Sequence, residues 1–212
     1  MNRLPDHRGL QDTQTILKMY LEQVIREGDI VIDATAGRGR DTLFLARCVG
    51  VTGKVFAFDI QEEAILATRE LLENFGLADR VELLHKSHTS IADHVHDRVK
   101  AVVFNLGYLP GGGNRIITQA ATTVEAVQQG LTLLEEKGII ALTVYRGHEG
   151  GQDESQKLTS FLSGLSKKDF SVVQGIYLNQ GELSPYWIMI QKNRRTIDEN
   201  PPSEKDPGTD SE

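Results

Sequence analysis

Apolar positions along this chain alternate between helical and strand spacing from one end to the other. In residues 10–26, Ile16, Leu17, Tyr20, Leu21, Val24 and Ile25 recur at three- and four-residue intervals, which predicts an amphipathic helix. Gly28 and Asp29 end it, and Ile30-Val31-Ile32 opens a buried strand. The same reading places helices at 40–49, 62–75, 116–136 and 154–165, with Gly76 as the stop of the second of these. Further strands are predicted at 54–58, 81–84, 101–104, 138–144, 170–177 and 186–191. The fourth strand, Ala101-Val102-Val103-Phe104, is wholly apolar, as expected of a sheet covered on both faces. Seven strands alternating with helices of this length imply βαβ units. The fold class is therefore α/β, a doubly wound, mostly parallel seven-stranded sheet with helices on both faces.

Such a sheet binds ligands outside the carboxyl ends of its strands, near the point where strand order reverses. Every polar cluster of chemical interest follows a strand: residues 33–41, 59, 85–88, 105–115 and 145–154. All five should gather along one edge.

In the first cluster, Gly37 and Gly39 allow a tight turn and close approach of backbone to a ligand. The helix that follows offers free N–H groups. A dinucleotide loop would place a third glycine at position 42, which is threonine, and the carboxylate of Asp33 would repel a pyrophosphate. Asp33 instead suits an ammonium group, so the Asp-x-x-x-Gly-x-Gly spacing favours S-adenosylmethionine over NAD. Asp59 ends the second strand, where a carboxylate can accept both ribose hydroxyls or cap the next helix. Ser87 and His88 lie where an adenine would end, or form a solvated turn. The candidate cofactor ligands are Asp33, Thr35, Gly37, Gly39, Asp41, Thr42, Asp59, Ile60, Gln61, Ser87, His88 and Asn105.

After the fourth strand, Asn105-Leu106-Gly107-Tyr108 has the spacing of the Asn-Pro-Pro-Tyr motif of enzymes that methylate exocyclic amines. An attacking nitrogen must aim its lone pair at a methyl group while acceptors hold its hydrogens. The Asn105 side-chain oxygen and the Leu106 carbonyl are suited to that, and Tyr108 to stacking on a base. The alternative is a strand-to-turn asparagine followed by a core tyrosine. Leu109 to Arg115 continues as a loop with three successive glycines. The run Tyr145-Arg146-Gly147-His148-Glu149-Gly150-Gly151 joins the same edge, either as a glycine-rich turn or with His148 in acid–base or phosphate contact. The candidate catalytic residues are Asn105, Tyr108 and His148. The candidate substrate or RNA contacts are Tyr108, Pro110, Gly111, Gly112, Arg115, Tyr145, Arg146 and His148.

Charge changes this picture little. The formal net charge is −7, but residues 198–212 hold six acids and one base, leaving the body at −2. A basic face for RNA is neither shown nor excluded. Residues 193–212 are expected to be an acidic disordered tail on a single domain, 1–192. Cys48 is the only cysteine and reads as a small buried hydrophobe. Four of the six histidines (His85, His88, His94, His96) fall within twelve residues, yet without cysteines or a helical His-Glu-x-x-His pattern, so no metal is expected. With no membrane-length apolar run and no signal-peptide core, the expected location is the cytoplasm.

Three segments together carry a family resemblance: Val31 to Gly39, Asn105-Leu106-Gly107-Tyr108-Leu109-Pro110-Gly111-Gly112, and Tyr145 to Gly151. The chain resembles, over about residues 8–192, the small class I methyltransferases known as “putative rRNA methylases”, whose members resemble bacterial tRNA wobble-uridine methyltransferases. Arg38, Arg40 and Gly113-Asn114-Arg115 depart from the usual pattern of that family. The resemblance implies a Rossmann-like class I fold and S-adenosylmethionine as cofactor. It implies methyl transfer to the primary amine of 5-aminomethyl-2-thiouridine in the anticodon region of tRNA, with Asn105 as the amine holder. Action on rRNA or a small amine, or a non-catalytic nucleoside-binding module, are the alternatives; a homodimer is left open.

Overall fold

The computed structural model describes residues 12–107 and 120–194. Its elements follow the predicted alternation: α1 (Thr13–Val24), β1 (Ile30–Asp33), α2 (Arg40–Cys48), β2 (Lys54–Asp59), α3 (Glu62–Asn74), β3 (Val81–His85), α4 (Ile91–His94), β4 (Val99–Leu106), α5 (Ala120–Leu133), β5 (Leu134–Val144), α6 (Gly151–Ser163), β6 (Phe170–Gly175) and β7 (Tyr186–Lys192). Short 3-10 turns at Ala78–Arg80 and His88–Ser90 flank β3.

The seven strands form one sheet in the order β3-β2-β1-β4-β5-β7-β6. Strands β1 to β5 run parallel, whereas β7 is antiparallel to both β5 and β6. Strand order therefore reverses between β1 and β4, which opens the crevice where a ligand belongs.

Each central strand sends alternate side chains to opposite faces. Ile32, Val102, Phe104, Ile140 and Leu142 pack with Ile91, Ala126, Val127, Leu131, Leu158 and Leu162 of α4, α5 and α6. Val31, Ala101, Val103, Ile139 and Ala141 pack on the other face with Leu17, Leu21, Phe44, Leu45 and Leu72 of α1, α2 and α3. Two aliphatic cores thus hold the sheet from both sides and fix its carboxyl edge.

Several boundaries differ from the sequence expectation: β4 runs over Val99–Leu106, α6 starts at Gly151 and β6 ends at Gly175. The helix predicted to 136 stops at Leu133, and β5 begins at Leu134, which pairs with Val99 ahead of an irregularity between Val99 and Ala101. Leu133-Leu134-Glu135-Glu136 are good helix formers, but Leu134 is fully buried and Glu135 is drawn to Lys100 at 2.7 Å. Lys137 takes a left-handed turn (φ 62°) to align the rest of the strand. The histidine-rich segment after β3, where no helix is predicted, contains α4, anchored by the buried Ile91.

Cys48 is half-buried against the second core, and burial, then Glu22, pushes its thiol up to about 11. It stays protonated and unreactive at neutral pH. No helix among the described residues is long and apolar enough to cross a membrane.

Candidate functional site

The loop from Asp33 to Gly39 leaves the end of β1 and is tied to both neighbouring strands. Ala34 N donates to Val103 O of β4 at 2.9 Å, and Ala36 N to Phe58 O of β2 at 2.9 Å. Asp33 is fully buried. Its carboxylate accepts from Thr35 N at 3.2 Å and from the Thr42 hydroxyl at 2.6 Å. Burial first, and then the neighbouring Asp41 carboxylate, push its pKa up to about 7. The two hydrogen bonds oppose that rise without cancelling it.

Gly37 (φ 53°) donates its N–H to Asp59 Oδ2 at 2.8 Å, and its carbonyl accepts from the Thr68 hydroxyl at 3.0 Å. Gly39 is left-handed (φ 79°) and caps α2. A Cβ there would sit 2.9–3.0 Å from Thr68, including its backbone Cα. Gly39→Ala therefore combines backbone strain of ~1–2 kcal/mol with a clash against the residue that holds the loop. The expected outcome is a melting temperature lower by several degrees and S-adenosylmethionine affinity down roughly tenfold. Thermal denaturation and calorimetric titration check both, and unchanged values would mean that the loop tolerates a side chain.

Asp59 ends β2 with one carboxylate oxygen bonded to the glycine loop and the other to the turn into α3. Its Oδ1 accepts from Gln61 N at 2.9 Å, shaping the start of α3, whose cap residue is Gln61. Burial pushes its pKa up against those backbone bonds. Ile60 is left half-exposed beside it, and its carbonyl is hydrogen-bonded to His85 Nε2 at 3.0 Å. Ser87 caps the following 3-10 turn, accepting from Thr89 N at 3.2 Å. The ring of His88 lies edge-on to Phe104 (6.3 Å between centroids). Its Nε2 is buried without a hydrogen-bond partner among the described residues, and burial lowers its pKa.

At the end of β4, the backbone N–H of Asn105 donates to the Thr35 hydroxyl at 2.7 Å, which locks it to the first loop. Its side-chain Nδ2 donates to Asp41 Oδ2, and Asp41 in turn pairs with Lys18 Nζ at 2.6 Å. The Asn105 Oδ1 accepts from Gln14 Nε2 at 2.9 Å, and that same nitrogen donates to the Tyr145 hydroxyl at 3.2 Å. The Leu106 carbonyl, expected to help hold an amine, accepts from Tyr145 N at 3.3 Å. Burial pushes the Tyr145 phenol up, so it is a neutral hydroxyl at physiological pH. A small, shallow cleft opens beside this chain of contacts, lined by Gln14, Leu17, Lys18, Phe44, Asn105 and Thr143 among others.

Arg146 donates from Nη2 to Ser184 O at 3.1 Å, with its guanidinium 5.0 Å from the Tyr186 ring centre. It joins the loop after β5 to the connection between β6 and β7. The His148 ring turns back on its own loop, with Nδ1 2.9 Å from Glu149 O. Tyr108, Pro110, Gly111, Gly112 and Arg115 lie outside the described residues.

The structure thus joins Asp33, Thr35, Asp41, Thr42 and Asn105 in one hydrogen-bonded set at the strand-order reversal, with Gly37 and Asp59 bonded to each other beside it. Gln14 and Lys18 extend the first set and Thr68 the second, and none of these three was a candidate in the sequence; His85, read there only as one of a histidine cluster, meets the Ile60 carbonyl. A signal existed for the first two: Gln14 and Lys18 extend the buried Leu17–Leu21 face of α1 at helical spacing. The donor set fits S-adenosylmethionine. Three carboxylates, two of them with pKa values raised by burial, suit a ligand bearing an ammonium and a sulfonium charge. The glycines leave space for backbone approach. Among the described residues, no group of three or more His, Cys, Asp or Glu is placed to hold a metal ion.

The family model “Putative rRNA methylase” matches residues 55–191, from β2 through β7. The chain is 38% identical over 194 residues to the chloroplastic tRNA (mnm(5)s(2)U34)-methyltransferase of Arabidopsis thaliana, across 87% of this chain and 70% of that one. Among solved structures, a “putative rRNA-methylase” from Clostridium thermocellum superposes with a TM-score of 0.84 at 39% identity, covering 87% of this chain and 99% of the other. A “putative methyltransferase” from Streptococcus mutans, crystallised in complex with SAH, gives 0.78 at 37% identity, covering 86% and 98%. The fold is the class I methyltransferase fold that the resemblance implied.

Proposed function

We propose, for a chain that belongs to the “Putative rRNA methylase” family, that it methylates the primary amine of 5-aminomethyl-2-thiouridine at the tRNA wobble position, giving the 5-methylaminomethyl form. As a class I methyltransferase it uses S-adenosylmethionine. That group, when bound, supplies a methyl activated on a sulfonium sulfur, for which the amine lone pair is the nucleophile.

The observation that carries this reading is the fixed orientation of Asn105. Asp41, ion-paired to Lys18, is an acceptor and so takes the Asn105 Nδ2. The Asn105 oxygen is thereby turned towards the position filled by an N–H₂ group in the structure, that of Gln14. Acceptors there are neutral, an amide oxygen and a phenol, so they hold the hydrogens of an uncharged amine without the pull towards ammonium that a carboxylate would exert. An amine with an available lone pair is what methyl transfer requires. The name of the Arabidopsis relative supports the same acceptor.

Asp33, Thr35, Gly37, Gly39, Asp41 and Thr42 would hold the amino-acid end of the cofactor. Asp59, Ile60 and Gln61 would hold its ribose, and Ser87 and His88 its adenine. Tyr108, Arg115, Arg146 and His148 remain the proposed contacts to RNA.

The test is nucleoside mass spectrometry of tRNA from cells lacking the modification, incubated with the purified chain and S-adenosylmethionine. The 5-aminomethyl-2-thiouridine signal should fall as the methylated nucleoside rises. Methyl incorporation confined to rRNA, or none, overturns the assignment.

A further inference from the structure

We propose that Gln14 is a resident stand-in for the acceptor amine, its carboxamide nitrogen occupying the place between Asn105 Oδ1 and the Tyr145 hydroxyl that the substrate nitrogen takes. The inference rests on the amine-acceptor reading above and adds a residue that controls access to that site.

The argument begins with hydrogen-bond direction. With Asn105 Nδ2 committed to Asp41, the Asn105 oxygen is the atom that faces α1, and only a donor can face it in turn. The Gln14 group there is therefore its N–H₂, at 2.9 Å from Asn105 Oδ1 and 3.2 Å from the Tyr145 hydroxyl. Two acceptors converging on one N–H₂ is the demand that a neutral primary amine satisfies. The carboxamide meets it without being a nucleophile, because its nitrogen lone pair is delocalised into the carbonyl.

Position in the fold makes the exchange cheap. Gln14 is the second residue of α1, whose start is held by Asp12 accepting from Gln14 N at 3.1 Å and from the Thr15 hydroxyl at 3.3 Å. A helix end opens at far lower cost than the buried strands around it. Leaving Asn105 and Tyr145 half-buried without donors would carry a desolvation penalty, so Gln14 fills the site until an amine replaces it.

Selectivity follows. A neutral secondary amine has one N–H for two acceptors, so it replaces Gln14 less completely than the primary amine does. The arrangement favours a single methylation.

The experiment uses the full chain with S-adenosylhomocysteine bound. Side-chain amide NMR signals of Gln14, identified by their loss in Gln14→Met, are followed during titration with an anticodon stem-loop RNA carrying 5-aminomethyl-2-thiouridine and, separately, with methylamine. Both probes should move the Gln14 signals towards those of a solvated amide. In turnover assays Gln14→Met, which keeps side-chain length and helix propensity, should lower KM for the RNA roughly fivefold, with the change confined to KM. Gln14 signals that stay in place, with an unchanged or higher KM, overturn the proposal even if the RNA is methylated. Methylamine displacing Gln14 while the RNA is never methylated leaves the stand-in intact and removes the tRNA assignment instead. If Gln14 stays in place and the RNA is not methylated, both readings fall.

Discussion

Asp33→Asn should raise the melting temperature of the ligand-free protein and, in the same variant, weaken S-adenosylmethionine binding by roughly a hundredfold. The two effects come from one cause. Asp33 is fully buried beside Asp41, and its pKa stands at about 7 instead of the ordinary 3.8. At neutral pH the apo fold carries the cost of ionising it, on the order of a few kcal/mol. Asparagine keeps the hydrogen-bond geometry: its oxygen can accept from Thr35 N while its amide donates to the Thr42 hydroxyl. It removes the charge. A gain of several degrees follows for a domain of this size, unless the amide fails to reproduce those bonds. The same charge is the proposed partner of the ligand's ammonium, which is why binding is lost.

The pH dependence separates the two effects by sign. Because the folded-state pKa lies above the unfolded one, the folded protein binds more protons between about 4 and 7. The contribution of Asp33 to stability is therefore complete below the unfolded pKa and is lost as pH rises through about 7. Asp59, whose pKa is also raised by burial, acts in the same direction. Cofactor affinity runs the other way, strengthening as pH rises and Asp33 ionises. Melting curves and calorimetric titrations at pH 5.5 and 8 should show the stability gap between variant and wild type widening with pH. The affinity gap should widen as well. A stability gap independent of pH would mean that Asp33 ionises in the apo fold as freely as in water.

What could be read from the sequence was set by periodicity and by distance along the chain. The loop at Asp33 to Gly39, the acid at Asp59 and the motif at Asn105 each follow an apolar strand, so topology alone delivers them to one edge. The Gln14 contacts could not be read this way. They span 91 residues to Asn105 and 131 to Tyr145, and helical spacing identifies the buried face of α1 without saying which end of the sheet it meets. Asp41 was legible as a ligand of the first loop but not as the group that orients Asn105. The histidine cluster misleads for a related reason. His85 and His94 bond to the carbonyls of Ile60 and Ser90, so neighbours in sequence are used separately. Arg146, counted as a charge for RNA, is stacked by the return of β7, which a linear reading does not see.

Asn105→Ala is expected to reduce kcat by about 10²- to 10³-fold while leaving S-adenosylmethionine affinity within about threefold of wild type. The backbone N–H of Asn105 holds Thr35, and alanine retains it, so the cofactor loop keeps its anchor. Asp41 retains Lys18 when the Asn105 amide is removed, so no buried charge is stranded. What disappears is the amide oxygen proposed to turn the acceptor amine, an interaction whose value would lie in aiming a lone pair and not in holding the ligand. Single-turnover methyl transfer, measured beside calorimetric cofactor binding, separates these possibilities. Lost cofactor affinity with unchanged chemistry would reassign Asn105 to the cofactor's amino-acid end. Asn105→Asp sharpens the test, because a carboxylate beside Asp41 leaves an acceptor in place but adds charge. It would favour the protonated amine, so its remaining activity should shift to higher pH, a displacement that a purely structural asparagine would not produce.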